Sequence, residues 1–261
     1  MKSSFPSIFV SHGAPDLLLQ SSPARDFLSQ LGTHLGRPKA VLCISAHWLT
    51  PTPVVSAVPQ PQTIHDFYGF PSALYQLRYA APGAPELAIQ VNQLLADSGV
   101  DSQVHPNRGL DHGAWAPLKL MYPDAEIPVT QLSLQLPQGT AHHLKIGRIL
   151  EPLRREGVLI MGSGSITHNL QVLREFSSQA EPPSWVSQFD QWLADALLNV
   201  RIDDLLNYRQ LAPYAAQNHP SEEHLLPLFV AMGAGGSIPK VTQLHSSFTY
   251  GVLSMAAYAF D

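Results

Sequence analysis

Four short apolar runs stand out along the chain, at residues 7–10, 40–45, 126–134 and 157–161. They are mostly continuous rather than alternating, which predicts strands buried on both faces. Between them, apolar positions recur at helical spacing. Leu87, Val91, Leu94 and Leu95 mark a helix over 85–98 that closes at Gly99, and Leu144, Ile146, Ile149, Leu150 and Leu153 mark another over 141–155 before Gly157. Ser22-Pro23 reads as the N-cap and first residue of a third helix, and 185–200 as a fourth. The segment 126–134 and the alternating stretch 248–259 are candidates for antiparallel strands. Strand and helix in alternation predict an α/β fold, a single domain over 1–261 with a central mixed, largely parallel sheet flanked by helices.

Proline is frequent, 23 residues, and recurs closely within 51–71 and 80–85, so the stretch between the second strand and the 85–98 helix is a long, stiffened loop of the kind that carries function. A composition of 45% hydrophobic and 13% charged residues predicts a compact globule, and a net charge of −5 argues against a nucleic-acid partner. No apolar run approaches a membrane span and the N-terminal one is too short for a signal sequence, so no membrane association and a cytoplasmic location are expected. Cys43 is the lone cysteine and sits in an apolar run, where a buried structural thiol is expected.

Candidate chemistry lies with the histidines. His12 follows the first strand in Ser11-His12-Gly13, His47 follows the second in Ser45-Ala46-His47-Trp48, and His168 follows the 157–161 strand after a Gly-Ser-Gly turn. Imidazole is both a common metal ligand and the usual acid or base at neutral pH, so rings delivered by strand ends to one rim point to a metal-dependent catalytic site. His112 lies in Asp111-His112-Gly113-Ala114-Trp115, where Asp111 and Trp115 suggest a pocket edge, and His65 lies in the proline-rich loop. His224 follows Ser221-Glu222-Glu223, read as an N-cap and a first helical turn whose carboxylates offset the helix dipole. His34, His105, His142, His143, His219 and His245 read as solvated positions. There is no HExxH, CxxC, P-loop or GxGxxG, and Gly162-Ser163-Gly164 lacks the spacing of a nucleophile elbow.

Taken in order, Ser11-His12-Gly13, Ser45-Ala46-His47-Trp48, the block Thr63-Ile64-His65-Asp66-Phe67-Tyr68-Gly69-Phe70-Pro71, Asp111-His112-Gly113-Ala114-Trp115, Ser163 to Leu170 and His224-Leu225-Leu226-Pro227-Leu228 resemble the class III extradiol ring-cleavage dioxygenases, in the DOPA 4,5-extradiol dioxygenase-like branch. The resemblance implies one divalent metal, iron(II) for activity with zinc plausible as the ion bound. It implies His12, His47 and His224 as ligands, with His168 as a further ligand or acid-base residue. His112 would join His168 in catalysis, and His65, Trp48, Phe67 and Trp115 would line the substrate side, with Tyr68 and Tyr214 as further aromatic candidates. The partners implied are a small aromatic diol and dioxygen, for a monomer or homodimer. Ring-cleaving relatives use two histidines and a carboxylate, so Glu222 or Glu223 stays open as the last ligand in place of His224. Two other readings of the same imidazole cluster stay open, a zinc-dependent hydrolase and a non-catalytic metal-binding relative.

Overall fold

The computed structural model describes residues 4–261. In chain order its strands are β1 (Ser7–Ser11), β2 (Ala40–Ser45), β3 (Val54–Ser56), β4 (Gln103–His105), β5 (Val129–Gln131), β6 (Val158–Gly164), β7 (Val241–His245), β8 (Phe248–Thr249), β9 (Leu253–Ser254) and β10 (Ala257–Phe260). Its α-helices are α1 (Pro23–Leu35), α2 (Ser72–Gln76), α3 (Pro85–Asp97), α4 (His112–Met121), α5 (Gly139–Leu150), α6 (Pro152–Arg155), α7 (Ser184–Leu198), α8 (Ile202–Leu206), α9 (Tyr208–Leu211), α10 (Ala215–Asn218) and α11 (Leu226–Ala234).

A six-stranded sheet in the order β5-β2-β6-β1-β10-β7 organises the molecule. The pairs β2–β5, β2–β6 and β1–β6 are parallel, while β10 runs antiparallel to both β1 and β7. The mixed, largely parallel sheet flanked by helices is as expected from the sequence. Each residue of β1, β2 and β6 is buried, because helices cover both faces. Ile8, Val10, Val41, Cys43, Leu159 and Met161 pack with α1 and α4 on one face. Leu42, Ile44 and Ile160 pack with α3, α5 and α11 on the other, where Phe9 meets α7 and α11. Cys43 is buried and unpaired, as its apolar neighbours predict.

The register fixes where the parallel strands end. Ser45 of β2 pairs with Ser163 of β6, and Ser11 of β1 pairs with Gly164, so three strand ends emerge side by side on one rim. In open α/β sheets the crevice at the carboxyl ends is where ligands bind.

Several local expectations change. The 126–134 strand contracts to β5, which pairs parallel to β2 rather than antiparallel; beyond Gln131 the chain leaves the sheet for isolated bridges with Leu49 and Val55. The 141–155 helix divides into α5 and α6 at Pro152, which has no N–H to continue the ladder. The 248–259 stretch divides into a β8–β9 hairpin and β10. At the start of α1 Ser22 Oγ accepts the Arg25 N–H at 3.2 Å, the cap that the sequence predicts. Among the described residues no helix is long and apolar enough to cross a membrane.

Helices α5 and α11 cross closely because glycine faces glycine. A Cβ on Gly147 would strike the Val230 carbonyl, and one on Gly233 would strike the Leu144 carbonyl. Backbone cannot yield as a flexible side chain does, so Gly147→Ala is expected to cost about 2 kcal/mol through overpacking, outweighing the ~1 kcal/mol that alanine gains as a helix former. For the net ~1 kcal/mol in a chain of this size, calorimetry should show the melting temperature lower by roughly 2–4 °C; an unchanged midpoint would mean that the helices can part.

Candidate metal centre

His12 is the first residue after β1, and its N–H donates to the Gly164 carbonyl at 3.0 Å, tying it to the end of β6. Gly13 next to it takes φ +62°, and a Cβ there would meet the Met255 side chain at 2.8 Å, so this tight turn needs glycine. His47 lies in the turn after β2, where Ala46 N–H donates to the Ser163 carbonyl at 3.0 Å. His112 opens α4, capped by Asp111. His224 lies in the turns before α11, and its carbonyl accepts from Ser165 N–H at 2.9 Å. Helix α11 starts only at Leu226 and carries Pro227 in its first turn, so Ser221 is not its N-cap and the two glutamates precede it.

These turns bring His12, His47 and His224 together, with one ring nitrogen from each within 4.8 Å of the others. Ring centroids are 5.0 Å apart for His12 and His47, 5.5 Å for His12 and His224, and 4.9 Å for His47 and His224. His112 sits 4.0 Å from His47, and His168 stacks on His224 at 3.4 Å with an 11° interplanar angle. His168, Glu223 and His224 also bring donor atoms within 4.8 Å of one another.

Hydrogen bonding fixes which nitrogen faces inward on His12 and His224. Ser163 Oγ donates to the Gly113 carbonyl, so it accepts the Nδ1–H of His12 at 3.0 Å. Glu223 Oε1, which can only accept when ionised, lies 2.9 Å from His224 Nδ1. Asp66 faces two rings, with Oδ2 3.6 Å from His47 Nδ1 and Oδ1 3.0 Å from His112 Nδ1. The second contact is not in line for a ring hydrogen bond; Oδ1 accepts the His112 backbone N–H at 2.9 Å instead. With protons on Nδ1 of His12 and His224, their Nε2 lone pairs face inward, and His47 Nε2 lies 3.0 Å from His12 Nε2, close enough for one ring to donate to the other when no ion is bound. A cation held between them would take the place of that proton. Neutral imidazoles with Nδ1 held by a carboxylate or hydroxyl are the donor set that a divalent metal takes, so these residues fit such an ion.

Burial keeps the rings neutral. It is the largest cause of the lowered pKa of His12 and His224, both held well below the usual imidazole value, with neighbouring histidines adding to it. His47 and His168 are pushed down to about 4, again chiefly by burial. Burial alone would raise Asp66, but its contacts with His112 outweigh that and leave it at about 2.

A cavity of about 270 Å³ opens over the cluster, walled by Phe67, Tyr68, Phe70, Leu170, Leu173 and Leu253. His168 and His112 line it with the three ligand candidates. Phe67 and Tyr68 therefore stand where the sequence puts them, whereas Trp48, Trp115, His65 and Tyr214 do not line the cavity. Trp115 is fully buried behind it, its indole N–H donating to the Ile64 carbonyl at 2.8 Å. His65 bonds the Leu77 carbonyl at 3.0 Å and packs on Phe67 and Trp115. Trp48 lies under the Arg108 guanidinium, 5.2 Å from its ring centre, and Tyr214 is a half-exposed residue before α10. Glu222 accepts from Tyr208 Oη at 2.8 Å, away from the three nitrogens. Asp66 and Ser163 were not singled out by the sequence as site residues, though each lies in a segment that carried candidates. His143 and His219 are buried rather than solvated, bonded to the Gly139 and Ile166 carbonyls.

The sequence profile of the catalytic LigB subunit of aromatic ring-opening dioxygenase matches residues 6–261. The chain belongs to this family. Relatives of this LigB-type chain include the 4,5-DOPA dioxygenase extradiol of Beta vulgaris, 46% identical over 97% of this chain and 96% of that one. The protein of the same name from Escherichia coli K12 is 37% identical over 96% and 92%. A crystal structure of an uncharacterized Escherichia coli K12 protein superposes with a TM-score of 0.82 at 32% identity, covering 98% of this chain and 100% of that one. The LigB fold and an extradiol dioxygenase activity are thus those of the family.

The buried rings set a pH dependence. Between pH 6.5 and about 4 the unfolded chain binds protons that folded His47, His143, His168 and His219, each held at about 4, do not. Stability is therefore complete above the unfolded value and falls as pH drops toward 4. Chemical denaturation of metal-free protein from pH 7.5 to 4.5 should show a midpoint that declines below pH 6.5, with a shallower decline in His143→Gln; a flat profile would place those rings in water.

Proposed function

We propose that this LigB-family enzyme inserts dioxygen into a DOPA-like catechol and opens the ring by extradiol cleavage. The convergence of ring nitrogens from His12, His47 and His224 beneath an aromatic and aliphatic wall is the observation that carries the reading. His12, His47 and His224 would hold one divalent metal, and Glu223 would serve as the acceptor that orients His224 rather than as a ligand. When bound, that ion, as iron(II), would supply a chelation point that acidifies the catechol hydroxyls and a conduit through which the catechol's own electrons reach dioxygen.

The chain's own residues have separate tasks. Phe67, Phe70 and Leu253 would take the face and edge of an aromatic ring, with the largely exposed Tyr68 at the mouth. His112, with Nδ1 beside Asp66, has Nε2 left to accept a catechol hydroxyl proton. His168 is neutral at pH 7 and stacked flat on His224, so its ring holds a fixed orientation; it would take or return a proton during ring opening. Ser163 and Glu223 would keep the Nδ1 protons of His12 and His224 in place so that those tautomers do not wander, and the Asp66 carboxylate lies 3.6 Å from His47 Nδ1.

Protein loaded anaerobically with iron(II) should consume oxygen with DOPA, caffeate or another catechol and give a yellow semialdehyde. An oxygen electrode that records no uptake across such a panel, with iron occupancy verified, would refute the reading. His47→Ala should purify without metal under conditions that load the parent chain, and Glu223→Gln should weaken metal affinity about 10- to 100-fold. Elemental analysis and chelator competition check both; full occupancy in His47→Ala would remove that ring from the ligand set.

A further inference from the structure

Asp111 lies behind the cluster and does not line the cavity, yet it connects more of the site than any ligand candidate does. It is wholly buried, with donors on both carboxylate oxygens. Oδ1 accepts from Ser45 Oγ at 2.6 Å and from Ala114 N–H at 3.3 Å; Oδ2 accepts from Gln131 Nε2 at 2.9 Å and from Arg108 Nη2 at 3.1 Å. Its own N–H donates to Gln131 Oε1 at 3.2 Å.

Two of those donors also grip His47. Ser45 Oγ accepts the His47 N–H at 3.2 Å, and Arg108 Nη2 reaches the His47 carbonyl at 3.4 Å. On its other side Asp111 caps α4, whose first residue is His112. Gly113 then passes so close that a Cβ would strike Ser45 Oγ and come within 3.0 Å of His47 Cδ2. Capping alone needs a single acceptor, which serine or asparagine supplies equally well. A buried carboxylate with four donors, two of them shared with the backbone of one neighbouring histidine, does more than cap.

We propose that Asp111 is a positioning residue that holds the His47 turn and the His112 helix start at a fixed separation through one carboxylate. The proposal rests on the reading of His47 as a metal ligand and His112 as an acid-base residue. Ser45 and Arg108 transmit the hold to the His47 backbone, and the α4 cap transmits it to His112.

The full chain and its Asp111→Asn, Ser45→Ala and double variants would be titrated with Co(II) against a competing chelator. Co(II) visible spectra, melting temperatures, and kcat and KM of the iron-loaded forms complete the comparison. Asp111→Asn is expected to weaken Co(II) binding 10- to 100-fold, the usual range for residues that orient ligands, to shift the Co(II) bands, and to lower kcat more than it raises KM. Ser45→Ala should move each readout the same way by several-fold, roughly a third of the logarithmic effect, because Arg108 and Gln131 remain in place. The double variant should lose no more than Asp111→Asn alone, since both act through one path. Asp111→Asn with a lowered melting temperature but Co(II) affinity, spectrum and kcat within about twofold of the parent overturns the proposal, as do single effects that multiply in the double variant. If Asp111→Asn does not fold, Ser45→Ala decides: unchanged Co(II) affinity and spectrum overturn the proposal. Parent protein that binds no Co(II) overturns the underlying metal reading, and that result needs no variant.

Discussion

The rest of the site depends on neutral imidazoles crowded together where burial strips them of solvent. Loss of water keeps the rings uncharged, and Ser163 and Glu223 hold the outer nitrogens of His12 and His224. What faces inward is a set of ring nitrogens, those of His12 and His47 only 3.0 Å apart, close enough to share a proton. In a medium of low dielectric few other partners are at hand, and a divalent ion bound there would replace that proton and satisfy the lone pairs together. The apolar wall above it serves the same end, because water admitted to the cavity would solvate the lone pairs and weaken the pull on the ion.

The sheet makes this possible through register. Strands β1, β2 and β6 end side by side, so residues far apart in sequence leave the sheet within one turn of each other. Glycines let the layers close up around that rim: Gly164 packs against the His224 carbonyl and Gly162 against that of Pro227. The turn before α11 is thereby pressed onto the end of β6, which fixes His224 without any strand of its own.

Much of this was legible in the residues. Continuous apolar runs gave the inner parallel strands, and a histidine after a strand-ending serine marked His12 and His47, because period and position survive in sequence. The position of His224 came from its motif and not from periodicity, since it sits in irregular turns. Trp115 and Trp48 have the same composition signal as Phe67 and Tyr68, and only packing separates a ring that walls a cavity from one that fills the space behind it. His219 and His143 looked solvated because a lone histidine carries no mark of burial when its partner is a distant carbonyl. Asp66 and Ser163 escaped for a related reason: a residue that acts by holding another ring is recognisable only once both are placed.

The proline-rich loop has one further consequence. Asp66, which faces the His47 and His112 rings, is followed directly by Phe67 and Tyr68, which wall the cavity. The wall of the cavity and a carboxylate facing two of its imidazoles are thus carried by three adjacent residues on one stiff segment. A change of backbone that reshaped the mouth at Phe67 or Tyr68 would act on the same stretch of chain that places Asp66, so the two features are coupled by sequence adjacency alone.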